Sequence, residues 1–166
     1  MEFKENFEEL LPYYEAFWNC EVLDRIAAIV IAPKDRTSNE NNWKTPRFVA
    51  MERSETVIDS FERYVKNLYF GGLAVPIFWP NFGPDVFSAF LGADMHYSED
   101  SSETSWIDWK SPVITDYNTL ENLFISDENF FYRKNIELLK LAAERSKGRY
   151  IVGATDLHAG FDALCV

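Results

Sequence analysis

The feature that most constrains the fold is an uninterrupted apolar run at residues 26–32, which reads Ile-Ala-Ala-Ile-Val-Ile-Ala and is stopped by Pro33. A strand with one solvated face would alternate apolar and polar residues. A continuous short run is instead typical of a strand that is buried on both faces, as in a parallel sheet. Residues 73–78 and 150–154 predict further inner strands of this kind.

Helical patterns separate these predicted strands. Apolar residues recur three and four positions apart over residues 7–18 and 57–69, and a short helix is expected at 86–91. Residues 126–129 carry capping chemistry, which predicts a long helix over residues 127–147. Strands that alternate with helices favour parallel βαβ units with right-handed crossovers, so the sequence predicts an α/β fold.

The composition limits the partners that this chain can have. Hydrophobic residues make up 47% of the sequence, which is typical of a folded domain, and the formal net charge is −11. Such a charge repels nucleic acids and anionic membranes, and no apolar run approaches the ~20 residues of a membrane helix. Cys20 and Cys165 fit neither a disulfide framework nor a zinc ribbon. With no signal-peptide pattern, we expect a cytoplasmic protein.

Three segments resemble one enzyme family in their order and spacing. The first is Leu-Asp-Arg-Ile at residues 23–26, and the second runs from Pro-Asn-Phe-Gly-Pro at 80–84 to Ser-Trp at 105–106. The third is Gly-Ala-Thr-Asp-Leu-His at residues 153–158. Together they are similar to the uroporphyrinogen decarboxylase superfamily, which includes the decarboxylase and cobalamin-dependent methyltransferases. The resemblance covers most of residues 10–166.

This resemblance implies a fold. Family members are (β/α)8 barrels of roughly twice this length. We therefore expect residues 1–166 to form a single domain, a partial (β/α)8 TIM barrel made of parallel βαβ units and corresponding to the N-terminal half of the family barrel. Residues 162–166, which are apolar apart from Asp162, lack a stop signal, so the chain is expected to be truncated.

The resemblance also bears on substrate and cofactor. Residues 32–36, Ala-Pro-Lys-Asp-Arg, lack the arginine motif that binds substrate carboxylates in the decarboxylase, and residues 74–77 lack its central Asp. A tetrapyrrole with many carboxylates needs cationic partners. We therefore expect a uroporphyrinogen-decarboxylase-like protein from the branch that acts on a small substrate, with methyl transfer as its reaction. At this length the chain is expected to be inactive or incomplete as an enzyme. The resemblance implies zinc or cobalamin only in a longer parent chain, because the family's metal ligands lie in the later half of the barrel.

Candidate catalytic residues follow the last predicted strand. Asp156 and His158 lie two positions apart, so an extended backbone would direct both side chains to one face. At the carboxyl rim of a barrel this pair would suit proton transfer or metal binding. In the alternative interpretation, Asp156 caps the next helix and His158 makes a local hydrogen bond.

Candidate substrate-binding residues follow the second predicted strand. Trp79 and Asn81 should occupy the same rim, and Trp106 lies in a segment that fits a short strand or hairpin arm. An aromatic ring beside an amide suits a pocket for a small molecule. In the alternative interpretation, Asn81 makes a turn within a packed loop.

Two other functions remain open at this point. One is a carbohydrate-active barrel, in which tryptophans bind sugars and a carboxylate pair performs acid–base catalysis. Its candidate residues are Trp79, Trp106 and Trp109 for the sugar, and Glu99, Asp100 and Glu103 for the carboxylates. The other is a non-catalytic half-barrel that associates with a second copy of itself through open sheet edges.

Overall fold

The computed structural model describes residues 1–39, 42–98, 104–108 and 110–157. Within these ranges the chain forms short strands and helices of very different lengths. In chain order they are α1 (Phe7–Trp18), β1 (Ile29–Pro33), α2 (Pro46–Met51), α3 (Ser54–Lys66), β2 (Leu68–Gly72), β3 (Ile77–Phe78), α4 (Val86–Phe90), β4 (Met95–Tyr97), β5 (Ser105–Ile107), a 3₁₀ helix (Tyr117–Asn122), α5 (Phe130–Arg145) and β6 (Ile151–Val152).

The described strands form three separate two-stranded sheets. β1 pairs with β2 and β4 pairs with β5, both antiparallel, whereas β3 and β6 are parallel. The structure is α/β, but the predicted partial (β/α)8 TIM barrel of parallel βαβ units is wrong. A barrel needs each strand to pair in parallel with its neighbours, and here β1 is paired with an antiparallel strand instead.

The antiparallel pairing of β1 and β2 has a local cause. Residues 68 and 69 were predicted to lie in a helix, and Gly71-Gly72 to end it, yet α3 ends at Lys66 and β2 begins at Leu68. Gly72 has φ 57°, and a Cβ atom there would lie 2.2 Å from the carbonyl oxygen of Ala28. Glycine at position 72 therefore allows the two backbones to approach closely at the point where β2 pairs with the first residue of β1.

The hydrophobic core lies between the β3–β6 sheet and helices α3 and α5. Phe78 is 0% exposed, and its ring packs edge-on against Phe61 of α3 at 5.1 Å between ring centroids. Phe61 also packs on Tyr150, just before β6, while Leu138 of α5 is fully buried. Helices α3 and α5, which correspond to the helical stripes predicted over residues 57–69 and 127–147, thus form the inner layer of the domain.

An ion-pair network fixes α3 against the end of α5. Glu62 is buried, and its carboxylate accepts hydrogen bonds from Arg145 Nη2 at 3.0 Å and from Arg149 Nη1 at 2.7 Å. Arg145 also contacts Asp59 at 2.7 Å, and Arg149 contacts Glu2 at 2.9 Å. Because two cations share one buried carboxylate, this part of the fold is held by charge as well as by packing.

The prediction that residues 26–32 are buried on both faces is wrong. Strand β1 forms there, but Ile29 is 70% exposed, Val30 51% and Ile31 53%.

Among the residues that the structure describes, no helix combines the length and the apolar character that crossing a membrane requires.

Candidate functional site

The parallel pair β3–β6 brings two chain segments to one edge of a sheet. Ile77 is paired with Ile151, and the backbone N–H of Gly153 donates to the carbonyl oxygen of Phe78 at 2.7 Å. A Cβ atom on Gly153 would lie 3.5 Å from Cβ of Trp79. The residues that follow the two strands are therefore neighbours, and glycine leaves space beside the indole.

The outer face of this sheet is apolar. Phe78 points into the core, so the alternation of a strand directs Ile77 and Trp79 outward, and Trp79 is 37% exposed. Ile77 and Trp79 also line a cleft of about 300 Å³, whose lining includes Phe78 and residues of α3 and so extends past the outer face of the sheet. The remaining lining residues are all apolar or aromatic: Ile31, Trp43, Phe61, Tyr64, Val65, Leu68, Phe70, Val75, Pro76 and Phe78.

The cleft contains a rigid group of aromatic rings. The Trp43 ring packs 5.6 Å from Phe61 and 5.7 Å from Tyr64, measured between ring centroids. Burial raises the pKa of the Tyr64 phenol, so this group stays neutral at physiological pH. The cleft wall therefore offers flat apolar surfaces and a neutral hydroxyl, and none of the described residues that line it is ionised.

Asn81 follows Trp79 at the edge of the sheet. Its side-chain oxygen accepts a hydrogen bond from the backbone N–H of Gly83 at 2.9 Å, which makes the turn that the alternative interpretation expected. This bond occupies the carboxamide oxygen but leaves the carboxamide nitrogen able to donate to a ligand. Substrate binding by Asn81 stays a prediction.

Trp106 lies on β5, in a hairpin that packs on the loop after β3. The hydroxyl of Tyr97 donates to the carbonyl oxygen of Phe82 at 2.9 Å, and the hydroxyl of Ser105 donates to the carboxylate of Asp85 at 3.3 Å. Side chains alternate along a strand, so Trp106 projects from the opposite face of the hairpin to Ser105 and stacks on His96, with 6.1 Å between ring centroids. The hairpin is therefore near the site, while the Trp106 ring faces away from this loop.

Asp156 follows β6 and is exposed. The preceding residue, Thr155, is buried, and its hydroxyl donates a hydrogen bond to the side-chain oxygen of Asn135 on α5. This bond fixes the chain just before Asp156 at the carboxyl edge of the sheet. His158 lies outside the described residues, and so do the other sequence candidates Glu99, Asp100, Glu103 and Trp109.

The family resemblance implies zinc only in a longer parent chain, and the described residues do not supply a metal site of their own. Zinc sites in proteins are built from three or four His, Cys or carboxylate ligands. Within residues 1–39, 42–98, 104–108 and 110–157, no group of three such residues is placed to hold a metal ion.

Sequence reasoning missed the most enclosed part of the site. Trp43 was not among the sequence candidates, and Tyr64 was predicted only as part of the helical stripe over residues 57–69, although both line the cleft. Ile77, Phe78 and Trp79 are all apolar, so no alternation in the sequence marks one face of this strand as the outer one. Comparisons of this chain with protein-family models, with curated proteins and with solved structures found no match.

Proposed function

We propose that this chain binds a small substrate at the shared carboxyl edge of β3 and β6, as a uroporphyrinogen-decarboxylase-like protein of the branch that acts on small substrates by methyl transfer. One observation carries the proposal. Trp79 and Asn81 follow β3, Asp156 follows β6, and these two strands are parallel neighbours. Ligands of α/β proteins bind at the carboxyl ends of parallel strands.

The cleft, which Trp79 lines and Asn81 and Asp156 do not, favours a small ligand of low charge by its size and polarity. A volume of about 300 Å³ is at the lower end of the range for small-molecule pockets. Among the described residues, no Lys or Arg lines the cleft, so these residues offer no cation to pair with a substrate that carries many carboxylates. A small methylated molecule matches this lining better than a tetrapyrrole does.

Each candidate residue has a distinct role in this proposal. Trp79 provides an apolar surface against which a methyl group or a ring packs. The carboxamide nitrogen of Asn81 donates a hydrogen bond to the polar end of the substrate. Asp156 accepts a hydrogen bond or a proton, with His158 as its partner in proton transfer.

A cytoplasmic location is part of the proposal. Cys20 is an exposed free thiol. Exposed thiols persist in reducing compartments, whereas in oxidising ones they form disulfides.

The proposal can be tested by ¹H–¹⁵N NMR with a library of small methylated fragments, namely methoxyarenes, methylamines and methyl thioethers, with simple sugars as a second set. We expect methylated fragments to shift the Trp79 indole and Gly153 amide signals together. Trp79→Ala should abolish the Gly153 shift. The matched control is Trp18→Ala, because Trp18 is an exposed tryptophan on α1, outside the cleft.

Two results would contradict the proposal. In one, no methylated fragment shifts the Gly153 amide at millimolar concentration. In the other, the sugars shift it and the methylated fragments do not, which would favour the carbohydrate-active alternative. Asp156→Asn provides a further comparison, since it should weaken the binding of the methylamines more than that of the uncharged methoxyarenes.

A further inference from the structure

Strand β1 uses only one of its two edges within the described structure. The backbone N–H of Leu73 donates to the carbonyl oxygen of Ala28, and the N–H of Lys34 donates to the carbonyl oxygen of Asn67, both at 2.7 Å. In an antiparallel pair, hydrogen-bonded residues alternate with residues whose backbone groups point to the other edge. Even-numbered residues of β1 therefore bond to β2.

The backbone groups of Ile29 and Ile31 consequently point to the opposite edge. In the described residues no strand pairs with β1 there, since the order of this sheet is β1–β2. The side chains from Ile29 to Ile31 are also exposed. An exposed apolar strand with a vacant hydrogen-bonding edge is a template for pairing with another strand.

The charge pattern around this edge favours a second copy of this chain as the partner. A chain with net charge −11 repels its own copies over most of its surface. Residues 26–33 carry no charge, so two copies can meet there without bringing carboxylates together.

We infer that β1 pairs in antiparallel fashion with β1 of a second copy, about a twofold axis at Val30. The alternation of backbone groups restricts the pairing to odd-numbered residues of both copies. Ile29 exchanges both hydrogen bonds with Ile31 of the second copy, and Val30 faces its own counterpart. In a register shifted by one residue, Ile29 would face Ala32 of the second copy. The backbone groups of Ala32 already bond to β2 and could not bond to Ile29.

The flanking charges favour the same register. With Val30 at the axis, the positions that flank β1 are complementary in sequence: Arg25 corresponds to Asp35 of the second copy and Asp24 to Arg36, in the bends and turns on either side of the strand. A register centred on Ile29 leaves only one such correspondence, Asp24 with Lys34, and a register centred on Ile31 pairs Ile29 with Pro33, which has no N–H to donate. Exposed ion pairs are worth at most about 1 kcal/mol, so they select the register and the backbone edge supplies the affinity.

This assembly uses the outer edge of β1, while the proposed substrate site lies at the carboxyl edge of β3 and β6; the two share Ile31, which also lines the cleft, so the assembly is tested by cross-linking without any ligand. Disulfide trapping tests the register in a variant that lacks Cys20 and Cys165. Val30→Cys should form a disulfide-linked dimer under mild oxidation, because facing residues of a non-hydrogen-bonded pair have Cα atoms about 4.5 Å apart. Ile29→Cys is the matched control, since it is also an exposed residue of β1.

In the proposed register the two copies of Ile29 are offset by two positions, so their Cα atoms are roughly 8 Å apart, too far for a disulfide. Val30→Cys should therefore cross-link at least tenfold faster than Ile29→Cys. Sedimentation velocity gives a second measure. The wild-type chain should sediment as a dimer and Val30→Lys as a monomer with an unchanged circular dichroism spectrum. Two results would overturn the inference. One is equal cross-linking of the two cysteine variants, and the other is a wild-type chain that stays monomeric in sedimentation at 100-fold the protein concentration used for cross-linking.

Discussion

Strands β1 and β3 are both short and apolar, but their surroundings differ completely. Phe78 of β3 is fully buried, whereas the residues of β1 from Ile29 to Ile31 are exposed. Helices α3 and α5 cover the inner face of the β3–β6 sheet, while β1 packs mainly against β2. Hydrophobicity thus indicates that a strand needs a partner, but the packing of other elements decides whether it obtains one.

The two regions also differ in how they are held in place. The α3–α5 layer combines aromatic packing with the buried carboxylate of Glu62, which two arginines share. The β1–β2 sheet is held by its backbone ladder and by Lys4, whose ammonium group donates to the carbonyl oxygens of Phe70 and Gly72. Substitutions should therefore have large effects in the first region and small effects in the second.

The largest expected effect is at the centre of the α3–α5 layer. Phe78→Ala removes a fully buried ring that packs on Phe61, and should lower the free energy of unfolding by about 3–5 kcal/mol. Ile29→Ala, on exposed β1, should change it by less than about 0.5 kcal/mol. Urea denaturation at low protein concentration measures both. Equal losses would show that β1 is as well packed as β3.

A smaller loss is expected when the ion network is broken. Glu62→Gln keeps the shape of the side chain but leaves Arg145 and Arg149 without their shared carboxylate. Because the arginines are partly solvated, the cost should be about 2 kcal/mol, below that of a fully buried pair. The control is Glu55→Gln, which breaks an exposed pair with Arg53 and should cost less than about 0.5 kcal/mol. A loss at Glu62 no larger than at Glu55 would contradict a structural role for this network.

The smallest effect concerns alkaline pH. Burial, followed by the nearby charge of Glu62, raises the pKa of Tyr150 from 10.0 to about 12. Below pH 10 the phenol is protonated in both the folded and the unfolded chain, so its contribution to stability is fully present. Between pH 10 and pH 12 only the unfolded chain ionises, and this contribution is lost as the pH rises.

The test of this effect is the pH dependence of urea denaturation. Wild-type stability should fall more steeply than that of Tyr150→Phe above pH 10, because the variant has no phenol to ionise. The difference between the two proteins removes the contributions of other titrating groups. Parallel curves would show that the Tyr150 phenol ionises equally in the folded and unfolded chain.

The sequence predicted best what is decided locally. The stripe of apolar residues over residues 7–18 predicted α1 at Phe7–Trp18, and the later stripes predicted α3 and α5 with errors of a few residues at their ends. Helix α2 was missed, although its signals are present. Thr45 caps it by accepting from the N–H of Phe48, and Pro46 occupies its first turn.

The candidate site was predicted only in part. Trp79, Asn81 and Asp156 were identified because they follow predicted strands, and the structure places them after two parallel strands. Trp43 joins the cleft from a segment distant in sequence, through ring contacts with α3 that no local pattern reports.

By itself, the sequence determined the main helices, the positions of several strands, the net negative charge, and the absence of charged residues from residues 26–33. These depend on periodicity, capping residues and charge, which are properties of neighbouring residues. Only the tertiary structure decided that β1 pairs antiparallel with β2, that β3 joins β6, and that β1 is exposed. Strand pairing depends on contacts between residues far apart in the chain, and an apolar run is compatible with several partners until packing selects one.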